Sequence, residues 1–239
     1  MEYRITVEFD SATVSILNEN KYRLIYFISS SSINSCSAIP LCYGVVDRFL
    51  TSLEITFKDN LFAYVSSSPL VDQQEIYISQ TPTKPLSADI VTTAISSSCP
   101  ISLGQTLNLN SDLTVNITTN LKQNIGIQSE TTDQFTSGIG IIDNSNPYYR
   151  GINAQLLYKT LPLQLTPGSK ILLAIMPNNS IKINMAVTTL NSACIVIDLS
   201  ENPTPSPNVT YSLQQGWTFN DPRVTQYRQN TELRAILIT

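Results

Sequence analysis

Hydrophobic residues alternate with polar residues over many short runs of this chain, and turn residues separate the runs. Ile5, Val7 and Phe9 show the pattern near the start, and residues 53–57 repeat it. A period of two is typical of strands with one buried face. Residues 22–28 are almost entirely apolar, which predicts a strand covered on both faces. The same criteria predict strands at 61–65, 74–80, 88–95, 138–142, 152–159, 170–176, 181–189, 193–199, 208–213 and 232–238.

Helical periodicity is confined to one segment. Residues 45–53 carry apolar side chains at a spacing near 3.6, which predicts a short helix. The many short, evenly spaced strands predict an all-β fold, an antiparallel β-sandwich of jelly-roll or immunoglobulin-like type with little helix. Two arrangements stay open. Residues 1–239 form either one domain or two packed β lobes with a seam at 98–112.

Residues 101–127 contain the most regular alternation. The apolar members of one parity are Leu107, Leu109, Leu113, Val115 and Ile117, and Asn and Thr occupy the other parity. Residues 110–112 can turn the chain, so a hairpin is expected. An amphipathic hairpin of this kind can insert into a membrane, where a strand needs about 9–11 residues. The alternative is an ordinary core hairpin, which the absence of flanking aromatic residues favours.

Composition indicates a neutral polar surface. Only 13% of the 239 residues are charged, and the net charge is −4, while Ser, Thr and Asn together number 73. Identical copies of such a surface repel each other weakly, which favours close packing between molecules. Lys and Arg are scattered singly. We therefore expect no nucleic-acid binding, which needs clustered cations.

Catalytic and metal-binding chemistry is poorly represented. The chain has no His, so Ser-His and Cys-His nucleophile pairs and mixed Cys/His zinc sites are excluded. No phosphate-binding glycine motif occurs. Eighteen carboxylates could supply a glycosidase pair, but nothing in the sequence selects two of them. We therefore predict no enzyme activity and no catalytic, cofactor-binding or metal-binding residues.

Four cysteines occur without a Cys-x-x-Cys pair. Cys36 and Cys99 follow serine-rich stretches typical of loops, so they are candidate intermolecular thiols if the surroundings are oxidising. Cys194 lies in an apolar run and indicates strand core. The alternative for all four, including Cys42, is a small buried or loop thiol.

Two polar segments contain aromatic residues suited to contacts with a partner. Tyr148 and Tyr149 precede Arg150 in the first segment, and Trp217 and Phe219 lie in the second. Tyr and Trp combine apolar area with a polar group, so they are common at interfaces and against sugars. The five residues are candidate contact residues. Alternatively, the aromatic rings pack inward.

Targeting signals are not apparent. Residues 1–6, Met-Glu-Tyr-Arg-Ile-Thr, lack the order of a signal peptide, and no run reaches the roughly 18 apolar residues of a membrane helix. We expect an intracellular protein, either cytoplasmic or held in an inclusion or vacuole.

Several segments resemble a set of bacterial and fungal β-proteins. The likeness lies in residues 14–20, 53–68, 124–129 and 165–171. That group is similar to a self-assembling protein that forms intracellular crystals in a zygomycete fungus. The resemblance implies a β-sandwich that packs into dense ordered bodies with disulfide reinforcement, and it implies no catalytic residues.

The leading hypothesis is a non-enzymatic structural protein that associates with itself. Strand edges and polar faces of identical copies would pack together, as in a crystal or inclusion-body matrix. The main alternative is a toxin-like or glycan-binding module that attaches through residues 148–150 and inserts residues 101–127 into a membrane. An accessory capsid or fibre protein would use the same assembly physics as the leading hypothesis.

Overall fold

The structure is a computed structural model that describes residues 2–33, 37–58, 60–80, 96–119, 123–143, 148–159, 161–177, 181–200 and 207–238. Within these ranges the chain forms twenty strands and two helices. The prediction of an all-β fold with little helix is confirmed. The jelly-roll or immunoglobulin-like sandwich stays a prediction.

The elements follow one another in a long series of short strands. The strands are β1 (Glu2–Phe9), β2 (Arg23–Ile33), β3 (Ile39–Pro40), β4 (Gly44–Val46), β5 (Ser52–Lys58), β6 (Leu61–Ser66), β7 (Ser96–Pro100), β8 (Gln105–Leu109), β9 (Val115–Thr119), β10 (Ile125–Ser129), β11 (Phe135–Asp143), β12 (Tyr148–Gly151), β13 (Asn153–Leu157), β14 (Leu163–Met176), β15 (Thr189–Leu190), β16 (Cys194–Asp198), β17 (Asn208–Ser212), β18 (Gly216–Thr218), β19 (Val224–Tyr227) and β20 (Thr231–Glu232). The helices are α1 (Ser11–Glu19) and α2 (Leu233–Leu237).

Most strands belong to three sheets. The first has the order β18-β17-β1-β5, and the third has the order β3-β13-β11-β6-β7 with β12 also paired to β11. The second sheet has the order β19-β16-β14-β10-β8-β9 and is built on the long strand β14. One side of β14 pairs with β2, while the other side pairs with β10 in its first half and with β16 in its second. The register shifts between Pro167 and Ile171, a bulge that lets the two halves diverge.

All three sheets contribute to one main hydrophobic cluster. Ile5 comes from the first sheet, Leu107 and Leu173 from the second and Ile139 from the third, and each is fully buried. Residues on both sides of 98–112 therefore share this cluster. Both faces of β2 are buried, as its apolar run predicts, because Leu24 joins the main cluster and Ile25 a second one.

Two smaller clusters cover the outer faces of the sheets. The second cluster lies between α2 and strands β2, β14 and β16, and it includes Phe27, Leu172 and Leu233. The third cluster lies on the outer face of the third sheet, where Ile76 and Ile78 cover Tyr64. Among the described residues, neither helix is long and apolar enough to cross a membrane.

The helix predicted at 45–53 is wrong. Residues of that segment form β4, a loop and the start of β5, and Leu50 is exposed. The first helix is α1 instead. Asp10 is the N-cap of α1, because the Asp10 carboxylate accepts hydrogen bonds from the Thr13 N–H (2.8 Å) and the Thr13 hydroxyl (2.7 Å). Only Thr13 and Leu17 of α1 are buried, which leaves almost no apolar stripe to detect.

Three strand predictions also need correction. Residues 232–238 form mainly α2, and residues 74–80 and 181–189 contain little more than isolated bridges. Alternate side chains of the segment 74–80 do point inward. Its backbone groups, however, bond to serine side chains instead of to a neighbouring strand, and these serines lie in β6, in β7 and in the loop after β6. For example, the Tyr77 N–H donates to Ser68 Oγ (2.9 Å), and Ser98 Oγ donates to the Ser79 carbonyl (2.5 Å). The predicted strand 88–95 lies outside the described residues.

Candidate contact surface

The first aromatic segment places one of its three candidate residues on the surface. Tyr148 is exposed, but Tyr149 is buried and meets Phe62 edge to face with ring centroids 4.7 Å apart. The Arg150 guanidinium is half-buried and lies 5.7 Å from the centre of the Tyr43 ring. Strand β12 causes this division, because successive side chains of a strand point to opposite faces.

The second aromatic segment is divided in the same way. Trp217 is the middle residue of β18, belongs to the main cluster and packs edge to face on Tyr211 at 5.0 Å. The expectation of a surface contact at Trp217 is therefore wrong. Phe219 follows the strand and is partly exposed, at 36%.

The described cysteines are all buried and free. Cys99 was expected in an exposed loop, and this expectation is wrong, because Cys99 lies in β7 opposite Ala63 of β6 and is only 3% exposed. Burial raises the pKa of the Cys99 thiol and that of Cys42, the latter to about 12. Cys36, the other candidate intermolecular thiol, lies outside the described residues.

Polar side chains on β8, β9 and β10 form a connected array that we call the amide ladder: Asn108, Asn116, Thr118 and Gln128. Asn108 lies at its centre. The Asn108 Nδ2 group donates to Asn116 Oδ1 (2.7 Å) and to Thr118 Oγ1 (3.2 Å). Asn108 Oδ1 accepts from Gln128 Nε2 (2.6 Å). Neutral amides and hydroxyls thus bond to one another across three adjacent strands.

The turn between β8 and β9 fixes one end of the amide ladder. Asn110 Nδ2 donates to the Thr114 hydroxyl (2.8 Å), and Asn116 Nδ2 donates to Asn110 Oδ1 (3.2 Å). The Asp112 carboxylate accepts from the Thr114 hydroxyl (2.6 Å) and the Thr114 N–H (3.0 Å). These bonds hold the pKa of Asp112 below its usual value. The turn therefore sets the register in which Asn116 meets Asn108.

The prediction of a hairpin in 101–127 is confirmed by the antiparallel pairing of β8 with β9. Leu107 and Leu109 are fully buried, and Val115 and Ile117 pack on the main cluster while staying partly exposed. The apolar face of the hairpin is thus part of the core. This placement favours the core hairpin over the inserting one.

The outer edge of β9 has backbone groups that find no partner strand among the described residues. The Asn110 N–H donates to the Thr114 carbonyl at 2.9 Å. Hydrogen-bonded pairs recur every second residue, so Asn116 and Thr118 also bond to β8. The N–H and C=O groups of Val115, Ile117 and Thr119 consequently point away from β8. Within the part of the chain that is described, no strand pairs with this side of β9.

Natural proteins protect such edges with charge, proline, bulges or short length. Strand β9 has none of these devices apart from its modest length of 5 residues. By contrast, β5 presents exposed Glu54 and Lys58, and the Glu54 carboxylate pairs with Arg4 at 3.5 Å. The remaining described edges are shorter, contain proline or lie between arginines, as β19 lies between Arg223 and Arg228.

One groove beside α1 contains a carboxylate that already has hydrogen-bond partners. A groove of about 390 Å³ lies between α1 and the β17–β18 hairpin, but its carboxylate, Asp10, already caps α1. No group of three or more Cys, Asp or Glu residues is positioned to hold a metal ion in the described part.

Comparison with known proteins gives no relative. No family model matches the chain, and neither a curated protein nor a solved structure is significantly similar to it.

Proposed function

We propose that the protein is a non-enzymatic structural protein that associates with itself, of the kind that forms intracellular crystals or inclusion bodies. Copies join through the outer edge of β9, and the amide ladder lies beside the contact. The unprotected backbone groups of Val115, Ile117 and Thr119 carry the proposal.

Surface chemistry supports the same proposal. Charged residues make up only 13% of the chain and Ser, Thr and Asn number 73, so repulsion between copies is weak. Amide side chains that bond along stacked strands also stabilise ordered assemblies of identical chains. Asn116 and Thr118 lie on the edge strand itself, where a second copy can extend the array.

The energetics favour association only at high protein concentration. Each backbone hydrogen bond contributes about 0.5–1.5 kcal/mol net, whereas association costs at least about 4 kcal/mol in lost freedom. One short edge strand therefore gives a weak contact, which suits a protein stored at high local concentration. Growth beyond a pair needs a second contact, for which the exposed ring of Tyr148 is available.

The test is light scattering across a concentration series with two matched variants. Thr118→Lys places a cation on the exposed face of β9, and Thr225→Lys makes the same change on the edge strand β19. We expect the average mass of the parent protein to rise with concentration. Thr118→Lys should need at least tenfold more protein to reach the same mass, and Thr225→Lys should behave like the parent.

Two results would contradict the proposal. A parent protein that stays monomeric at every concentration excludes self-association, and equal effects of the two lysines exclude β9 as the contact. Leakage of dye from liposomes or binding to a glycan array by the monomer would support the toxin-like or glycan-binding alternative instead.

A further inference from the structure

We infer that two copies pair β9 with β9 in an antiparallel, two-fold arrangement centred on Ile117, so that Asn116 of each copy lies opposite Thr118 of the other. The inference rests on the proposed function and adds the partner strand and its register. It follows from which backbone groups of β9 are already bonded.

Hydrogen-bond parity restricts the possible registers. Asn116 and Thr118 direct their backbone groups at β8, so they cannot bond to a second copy. Only Val115, Ile117 and Thr119 can form the hydrogen-bonded pairs of the new ladder. An axis through Asn116 or Thr118 also satisfies this parity, since that residue would face its own copy in a non-hydrogen-bonded pair. However, only two of the three outward residues would then find partners within β9.

A two-fold axis at Ile117 pairs every outward-directed residue of β9. With the axis there, Ile117 pairs with Ile117 of the second copy, and each Val115 pairs with a Thr119. All the outward N–H and C=O groups of the strand then find partners. An axis at Val115 or Thr119 would leave most of the strand unpaired, since β9 spans only Val115–Thr119.

Side chains on the polar face agree with this register. Asn116 and the second copy's Thr118 form a non-hydrogen-bonded pair, whose side chains lie closest in an antiparallel ladder. An amide-to-hydroxyl bond across strands already exists within one copy, from Asn108 Nδ2 to Thr118 Oγ1 at 3.2 Å. Asn116 Nδ2 has a second N–H besides the one it gives to Asn110. The amide ladder therefore continues from one copy into the next.

Electrostatics and packing do not oppose the pair. Strand β9 carries no charge, so a strand that meets its own copy brings no like charges together. The half-buried Ile117 side chains of two copies lie side by side at the axis, on the face that already packs on the core. The chemistry of β9 is thus self-complementary, as a two-fold contact requires.

Disulfide trapping tests the register. The background is Cys36→Ser, and the two variants are Asn116→Cys and Thr118→Cys, mixed or alone under mild oxidation. Opposite residues fall within the 4.4–6.8 Å between Cα atoms that a disulfide needs, whereas positions offset by two residues are about 7–8 Å apart. We expect cross-linked dimer in the mixture at least tenfold above either variant alone.

A matched control measures chance collisions. Glu54→Cys and Thr56→Cys have the same spacing and are exposed on the edge strand β5. Their mixture should give no more dimer than either alone. Amide exchange of the Cys36→Ser background offers a test without new cysteines. Exchange at Val115, Ile117 and Thr119 should slow at least tenfold between dilute and concentrated protein.

The outcomes separate the inference from the proposed function. Cross-linking of Asn116→Cys alone or Thr118→Cys alone, or unchanged exchange in protein that light scattering shows to be associated, overturns the register and leaves self-association standing. A parent protein that light scattering finds monomeric at every concentration overturns both.

Discussion

Asn153 connects strands of two sheets, and its replacement by alanine should strongly destabilise the protein. The residue is fully buried in β13. Asn153 Oδ1 accepts from the Ile139 N–H of β11 (3.0 Å), and Nδ2 donates to Ser30 Oγ of β2 (2.9 Å). The Tyr64 hydroxyl of β6 donates to the Asn153 carbonyl (2.7 Å). Gly138 makes the close approach possible, since a Cβ there would lie 2.1 Å from that carbonyl oxygen.

The expected loss follows from the groups that lose partners. In Asn153→Ala the Ile139 N–H and the Ser30 hydroxyl stay buried without their bonds, and each such group costs about 1–3 kcal/mol. Loss of side-chain volume adds a small cavity. We expect a decrease of about 3–5 kcal/mol in the free energy of unfolding, a large part of the roughly 5–15 kcal/mol typical of a domain.

Urea unfolding at neutral pH measures the loss, with Asn191→Ala as the control. Asn191 is exposed, so its replacement should change the free energy of unfolding by less than about 0.5 kcal/mol. Ser30→Ala combined with Asn153→Ala should cost less than the sum of the single changes, because the two side chains share a bond. A loss below about 1 kcal/mol in Asn153→Ala would refute the reasoning.

Two further predictions concern the buried thiols. Burial raises the pKa of Cys42 from 9.0 to about 12 and that of Cys194 to about 11, so above pH 9 the unfolded chain releases protons that the folded chain keeps. Stability should fall as pH rises from about 9 towards 11–12, by about 2 kcal/mol per thiol at pH 10.5. Urea midpoints of a Cys42→Ala, Cys194→Ala variant should fall less steeply with pH, and equal slopes would contradict the assignment. In a Cys36→Ser variant, Cys42, Cys99 and Cys194 should react with a thiol reagent only on unfolding, and rapid labelling of the native protein would contradict the burial of at least one of them.

Alternation in the sequence is sufficient to predict strands whose two faces have different surroundings. Strands β1 and β5 turn Ile5 and Ile55 inward and polar residues outward, so their pattern is clear. Helix α1 escapes prediction because its N-cap, Asp10, is a short-range signal and Leu17 is its only large buried side chain. Residues 74–80 alternate correctly but bond to serine hydroxyls, which periodicity cannot distinguish from a strand partner.

The sequence predicts the polar face of the candidate surface but not its position at the edge of a sheet. The polar parity of Asn108, Asn116 and Thr118 is visible in the sequence, and these residues do share one face of the hairpin. That β9 ends its sheet depends on strand order, which a period of two does not determine. The aromatic residues did not identify a contact site, because Tyr149 and Trp217 are buried in the hydrophobic core. Their polar sequence neighbours give no indication of that burial.

Strands β5 and β9 differ in the charge of their exposed edges, and this difference favours a specific contact at β9. Both strands end a sheet, and both carry exposed polar side chains. If the edges lacked charged residues only by chance, β5 and β9 would be expected to lack them equally. The β5 edge has a cation at Lys58 and a carboxylate at Glu54, which oppose addition of another strand. The β9 edge has neutral groups that can bond to a copy of themselves. Association through β9 but not β5 would therefore give this contact one register and one partner, and an ordered body of identical molecules is built from contacts defined in this way.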